Sequence, residues 1–244
     1  MKTIDFNCDV GEGIENEHLL MPFISSCNIA CGGHYGNKTT IDKTLQLAID
    51  NNVKIGAHPS FPDKENFGRK IMKISDEKLQ KSIAFQMDLF AERLKKWNIK
   101  LHHVKAHGAL YNLIAKDKKA AAVFIDSIQN YIGKAYLYVP YNSEIEKIAR
   151  NNNINIKYEA FADRNYNDDL SLVSRNELNA IISDPTKVYQ HVLNMVQNNA
   201  VKTVSNSVIK IKSETFCVHG DNKNALDILQ KVTALLKTKN IRIA

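Results

Sequence analysis

Residues 4–13 read Ile4-Asp5-Phe6-Asn7-Cys8-Asp9-Val10-Gly11-Glu12-Gly13. Ile4, Phe6 and Cys8 alternate with Asp5, Asn7 and Asp9, the period of a strand with one apolar and one polar face. An inner strand of an open parallel sheet, covered by helices on both sides, is apolar on both faces. A strand with a row of Asp-Asn-Asp instead suits a closed barrel, whose lumen holds polar groups near the mouth. His103, Lys105 and His107 make a second such row if their strand runs that far.

Working outward, strand signals recur over residues 24–30, 53–57, 101–105, 135–139, 154–158 and 215–218. Helix signals stand between them. Asn37 caps a helix with Ile41, Leu45, Ala48 and Ile49 on one stripe. Ser75 caps another, in which Leu79, Ile83, Met87, Phe90, Leu94 and Trp97 recur at helical spacing. Helices are expected over about residues 109–131, and a short one follows the strand that Pro140 stops. Asp184-Pro185 opens a helix with Asp at the N-cap and Pro at N1. Asp221 or Asn222 is expected to cap the last helix, which carries Leu226, Leu229, Val232 and Leu236. Residues 159–183 are the least regular stretch and read as a long functional loop with a short helix. Repeated strand–helix units predict a parallel sheet with covering helices. No linker, repeat or low-complexity tract interrupts them, so residues 1–244 read as a single domain.

Of the 244 residues, 33 are Lys or Arg and 26 Asp or Glu, a net charge of +7. The basic residues are dispersed and no zinc-finger or RNP-like motif occurs, so nucleic-acid binding is not expected. No stretch approaches a membrane span. The opening MKTIDFNCDV lacks the apolar core of a secretory leader. Cys8, Cys27, Cys31 and Cys217 lack zinc-ribbon spacing and read as free thiols of a cytoplasmic protein.

Polar clusters follow nearly every strand: Asn7 to Gly13, Asn28 to His34, Gly56 to Ser60, His103 to Gly108, Glu159 to Arg164 and Val218 to Asn222. In α/β barrels the loops at the C-terminal ends of the strands build the active site. Each residue alone has a plain alternative. Asp221 is equally a helix cap, Gly32, Gly33 and Gly36 serve turns, and Lys105 can be a structural partner of Asp9 or Glu12. Neither GxxxxGK[ST] nor GxGxxG is present. Two chemistries fit the rim. Asp9 or Glu12 with two or more histidines can bind a divalent metal and activate water. Without metal, one of these groups can act as general base while Lys105 and Arg164 steady an oxyanion or phosphate.

The segments IDFNCDVGEG, ISSCNIACGGHYG, GAHPSFPDKENFGRK, HVKAHGALYN, EAFADRNY and CVHGDN resemble, in order, the LamB/YcsF family, the 5-oxoprolinase A subunits. The resemblance runs from about residue 4 to the end. It implies a seven-stranded parallel β/α barrel akin to the glycoside hydrolase and polysaccharide deacetylase superfamily. It implies cleavage of 5-oxo-L-proline to L-glutamate with ATP as co-substrate, performed together with subunits B and C. Carried over residue by residue, it makes Asp9, Glu12, His58, Lys105 and His107 the expected catalytic set. Asn7, Asn28 and His34, with Asp163, Arg164, His219 and Asp221, are the expected substrate-binding set. A divalent metal is compatible with these residues. The sequence departs from the family's pattern at Ala106, where Pro is usual, at Gly33-His34-Tyr35-Gly36, and at Asn167-Asp168-Asp169-Leu170, where a Pro-Asp-Gly turn is usual. Two other readings follow from the same residues: a stand-alone metal-dependent amidohydrolase or deacetylase, and a ligand-binding subunit that does no chemistry.

Overall fold

Seven parallel strands close on themselves in the computed structural model, which describes residues 2–244. They are β1 (Lys2–Val10), β2 (Ser26–Ala30), β3 (Lys54–His58), β4 (His103–Val104), β5 (Tyr136–Pro140), β6 (Ile156–Phe161) and, later in the chain, β9 (Thr215–Val218). β9 pairs with β6 on one side and with β1 on the other, closing the barrel (Glu159↔Thr215, Asn7↔Cys217). The hairpin β7 (Ala200–Lys202) and β8 (Val208–Lys210) lies outside it, and β10 (Ile241–Ile243) pairs with the first residues of β1.

Helices connect the strands: α1 (Glu17–Leu20) with a 3-10 turn (Met21–Phe23), α2 (Lys38–Asp50), α3 (Asp76–Lys96), α4 (Gly108–Lys116), α5 (Lys118–Ile132), α6 (Glu144–Asn151), α7 (Pro185–Asn198) and α8 (Ala225–Lys237). Their starts follow the local chemistry. Asn37, Ser75, Asp117, Ser143 and Asp184 each accept backbone N–H groups of the first turn. The apolar stripes expected for α3, α7 and α8 face the core, with Trp97 and Leu226 only partly buried; in α2, Ile41, Leu45 and Ala48 are buried but Ile49, expected with them, is exposed.

The alternation in β1 sorts the barrel into two environments. Ile4, Phe6 and Cys8 join the apolar layer beneath the helices. Asp5, Asn7 and Asp9 are also buried, and they bond across the lumen. Asp5 accepts from Ser26 (2.8 Å) and Thr215 (2.6 Å), Asn7 donates to Thr215 (2.8 Å), and Asn28 donates to both Asn7 (2.8 Å) and Asp9 (2.7 Å). His103 lies 2.6 Å from the Asn28 side-chain oxygen, its ring stacked on Tyr138. Gly56, opposite His103 on β3, makes room for that ring, because a Cβ there would sit 2.1 Å from His103 Nε2. The lumen is therefore a packed stack of hydrogen-bonded polar layers. All four cysteines are free and buried. Among the described residues no helix is long and apolar enough to cross a membrane.

Three local expectations are corrected. Residues 162–183 contain no helix; antiparallel bridges Arg164↔Ile181 and Tyr166↔Leu172 fold the segment onto itself, with the Tyr166 hydroxyl accepting from Phe161 N (2.7 Å). The N-cap of α8 is Asn224, since a turn over residues 219–224 delays the helix and leaves Asp221 at the barrel mouth. The fourth strand ends at Val104, so Lys105 and His107 lie beyond it, although the Lys105 N–H still bonds Ala57 O (3.0 Å).

Candidate active site

Two histidines at the C-terminal ends of β3 and β4 are fixed by backbone carbonyls. His58 Nδ1 lies 2.8 Å from Lys105 O, and His107 Nε2 lies 2.9 Å from Phe67 O. A carbonyl only accepts, so those nitrogens carry hydrogen. In a neutral imidazole the other nitrogen is then a lone pair. These are His58 Nε2 and His107 Nδ1, which face each other at 2.9 Å. Two lone pairs at that distance repel unless a proton or a cation lies with them. Two carboxylates adjoin: Asp9 Oδ2 is 3.3 Å from His58 Nε2, and Glu12 Oε1 is 3.3 Å from His107 Nδ1. The ligand atoms of Asp9, Glu12, His58 and His107 lie within 4.8 Å of one another, so the cluster can hold a metal ion. Two oxygens and two imidazole nitrogens are a donor set suited to first-row divalent ions.

The carboxylates remain ionised although buried. Burial alone would raise the Asp9 pKa, but when a proton lies between the two imidazoles the charges of His58 and Lys105 outweigh it and hold the group well below the usual carboxylate range. Burial would raise Glu12 too. Hydrogen bonds from His107, when its Nδ1 carries that proton, and from His34 reverse that, the His34 contact being 2.8 Å. His34 stacks flat on His107, with centroids 3.6 Å apart, and burial pushes its own pKa down to about 4.

Lys105 is buried beneath this cluster. Its Nζ contacts Asp9 Oδ1 (2.9 Å), Glu159 Oε1 (3.0 Å), Cys217 Sγ (3.1 Å) and Asn7 Oδ1 (3.4 Å). Burial opposes its charge, and the neighbouring anionic groups, Asp9 first, more than restore it, so the pKa lies well above its ordinary value.

A further imidazole stands beside Asp9: the ligand atoms of Asp9, Cys217 and His219 lie within 4.8 Å of one another. His219 Nδ1 lies 2.9 Å from Asp163 Oδ1, while Asp163 Oδ2 accepts from His219 N (3.2 Å) and Asn222 Nδ2 (3.1 Å). This carboxylate places hydrogen on Nδ1 and leaves Nε2 as a base. His219 lines a cavity of about 790 Å³ together with Asp9, Glu12, His58 and His107. Arg69, Arg164 and Arg175 line the same cavity.

Comparison with known proteins agrees with this architecture. The LamB/YcsF family model matches residues 4–244. The chain belongs to the LamB/YcsF family. A relative from Pyrococcus abyssi, named as the A subunit of 5-oxoprolinase, is 35% identical over 247 residues, 98% of this chain and 96% of that protein. The crystal structure of a lactam utilization protein from Thermus thermophilus superposes with a TM-score of 0.91 at 30% identity, covering 100% of this chain and 99% of that one. A structure described as T48 deacetylase with substrate shares the fold at a TM-score of 0.51 and 15% identity, covering 100% and 87%.

Within this LamB/YcsF barrel the expected residues separate into two groups. Asp9, Glu12, His58, Lys105, His107, Arg164, His219 and Asp221 border the cavity. Asn7, Asn28, His34 and Asp163 stand behind it, bonded to one another or to Asp9, Glu12 and His219. Sequence reasoning put Glu159 in a polar cluster without pairing it to Lys105, and missed Cys217, the other partner of Lys105, as well as Arg69 and Arg175. Glu159, Cys217 and Arg69 lie inside the segments quoted above (EAFADRNY, CVHGDN and FGRK), which was the available signal. Arg175 lies in the irregular stretch and carried none.

Proposed function

We propose that this chain is the ring-opening component of an ATP-dependent 5-oxoprolinase, converting 5-oxo-L-proline to L-glutamate together with subunits B and C. The observation that supports this best is His219, anchored on Asp163 and placed at the cavity beside the cluster of two carboxylates and two imidazoles. The names of the relatives supply the substrate.

Opening the lactam adds water across one C–N bond. The water oxygen attacks the ring carbonyl carbon and gives up a proton, the bond to nitrogen breaks, and the nitrogen gains a proton. The base should have a pKa near the working pH. Asp9 and Glu12 are held too acidic for that role. His219 is the base we assign, with its proton returned to the departing nitrogen. Asp163 keeps its ring turned toward the substrate, and Lys105 balances the charge of Asp9 and Glu159 below. Asp9, Glu12, His58 and His107 would hold a divalent ion, which would polarise a carbonyl or an attacking water. ATP would make the amide a better electrophile by phosphorylating its oxygen with release of ADP; the first water then opens the ring to an acyl phosphate, and a second water cleaves that to L-glutamate and inorganic phosphate. The absence of a glycine-rich phosphate loop from the sequence favours nucleotide binding mainly on the partner subunits.

The test is glutamate release from 5-oxoproline by this chain alone and mixed with subunits B and C, with and without ATP. ATP-dependent glutamate only from the mixture is expected. An active B–C pair that yields none with this chain present would sink the reading. The facing nitrogens of His58 and His107 support a second reading, a metal-dependent amidohydrolase that needs no ATP. In that case a chelator would abolish amide hydrolysis by the isolated chain and a divalent ion would restore it.

A further inference from the structure

We propose that Arg69, Arg164 and Arg175 form a seat for the phosphoryl group of a small phosphorylated acid, with Asp221 as the counter-ion it displaces. Arg164 is 5% exposed and lines the cavity, yet among the described residues no carboxylate pairs with it. Its Nε and Nη2 donate to Ala180 O (3.2 Å) and Val173 O (2.6 Å), which fixes the guanidinium plane. Of its five N–H donors the remainder have no acceptor among the described residues. A buried guanidinium without a counter-charge is costly to maintain. A ligand anion relieves that cost.

Arg69 and Arg175 come from different loops and converge on the same oxygen, Asp221 Oδ2, Arg175 Nη1 at 3.2 Å. One carboxylate cannot neutralise two guanidiniums, and Asp221 is the only acid lining the cavity, among the described residues, besides Asp9 and Glu12. Lys70 extends the positive wall, while Lys116 in the same lining is paired with Asp169 (3.3 Å). With Arg164 counted, the three guanidiniums carry two positive charges that Asp221 does not compensate. A monoanionic carboxylate would neutralise one of them. A phosphoryl dianion neutralises both, and its oxygens accept the paired N–H bonds that guanidiniums offer. Asp221 follows His219 by two residues, so the seat adjoins the reacting centre, as expected for phosphate carried on the substrate itself rather than on a nucleotide. That the carried group is on a lactam rests on the 5-oxoprolinase reading; the seat itself does not.

The experiment is calorimetric titration of the purified chain with inorganic phosphate, phosphonoacetate, acetate and ATP. Phosphate and phosphonoacetate should bind and acetate should not. Arg69→Ala and Arg175→Ala should each weaken phosphonoacetate by roughly tenfold or more, the loss of charge-assisted bonds. Asp221→Asn should tighten it several-fold by freeing both guanidiniums, an effect of opposite sign that a merely structural role would not produce. Circular dichroism checks that each variant is folded. Equal affinities across the variants, weaker binding in Asp221→Asn, or ATP binding without binding of phosphate or phosphonoacetate would overturn the proposal. Glutamate release by the full complex is read separately. Its failure with these affinities intact would count against the reaction and leave the seat standing.

Discussion

Lys105 holds its ammonium between Asp9 and Glu159, with both carboxylates buried. Lys105→Met keeps the volume and removes the charge, leaving two buried anions facing each other. Breaking a buried ion pair from one side costs about 3–5 kcal/mol, which a denaturant titration of the variant against wild type will read. Asp163→Asn tests the anchoring of His219. It replaces one of the two acceptor oxygens by an NH2 group, so His219 N and Nδ1 can no longer both donate to the side chain, and should lower kcat by about 10²–10⁴-fold. Asp9, Glu12, His58 and His107 were legible in the sequence because each is a charged or imidazole residue at or just beyond the C-terminal end of a strand, where a barrel puts its chemistry. Their pairing was not legible. Which nitrogen of His58 faces which nitrogen of His107 depends on two carbonyls, Lys105 O and Phe67 O, supplied by tertiary structure. That Glu159 and Cys217 meet Lys105 escaped notice for a related reason. They reach Lys105 only across the closed lumen, far from it in sequence.

At the scale of elements, the long periodic segments were readable and the short ones were not. Six apolar residues at helical spacing define α3 without ambiguity. The hairpin of β7 and β8 and the terminal β10 have three residues per strand, too few to show a period. The bridged fold of residues 162–183 depends on Arg164 and Tyr166 bonding backbone groups, a pattern that no periodicity signals. Two substitutions probe how the elements are set. Asp184→Ala removes the acceptor of the Thr186 and Lys187 N–H groups at the start of α7 and should cost about 1 kcal/mol in denaturant titration. Gly56→Ala places a methyl group inside the space of the His103 ring. It should cost about 1–3 kcal/mol through overpacking and displace His103 from Asn28, which the chemical shifts of the imidazole will report.

For the whole molecule, buried imidazoles set the response to acid. Burial pushes His34 and His191 down to about 4. In the unfolded chain both take up a proton near 6.5. Between those values the unfolded state binds more protons than the folded one, so stability rises with pH across the window. It is fully present above about 6.5 and lost progressively toward about 4. The depressed carboxyls of Asp9 and Glu12 add a loss in the same direction at lower pH. The urea midpoint should therefore fall on acidification, and His191→Asn should flatten its slope; a flat wild-type profile would contradict this. The four buried thiols offer a view of the same opening in time. Burial pushes the Cys31 thiol up to about 12 and raises the others as well, so none is a nucleophile in the closed barrel. Cys8 and Cys217 flank the β1–β9 seam, whereas Cys27 and Cys31 lie on β2 and just beyond it. An alkylating reagent that marks the first two before the second two would mean that the barrel unzips at the seam. Simultaneous marking would mean that it opens as a unit, so the order of modification is a clock that the chain carries without any added label.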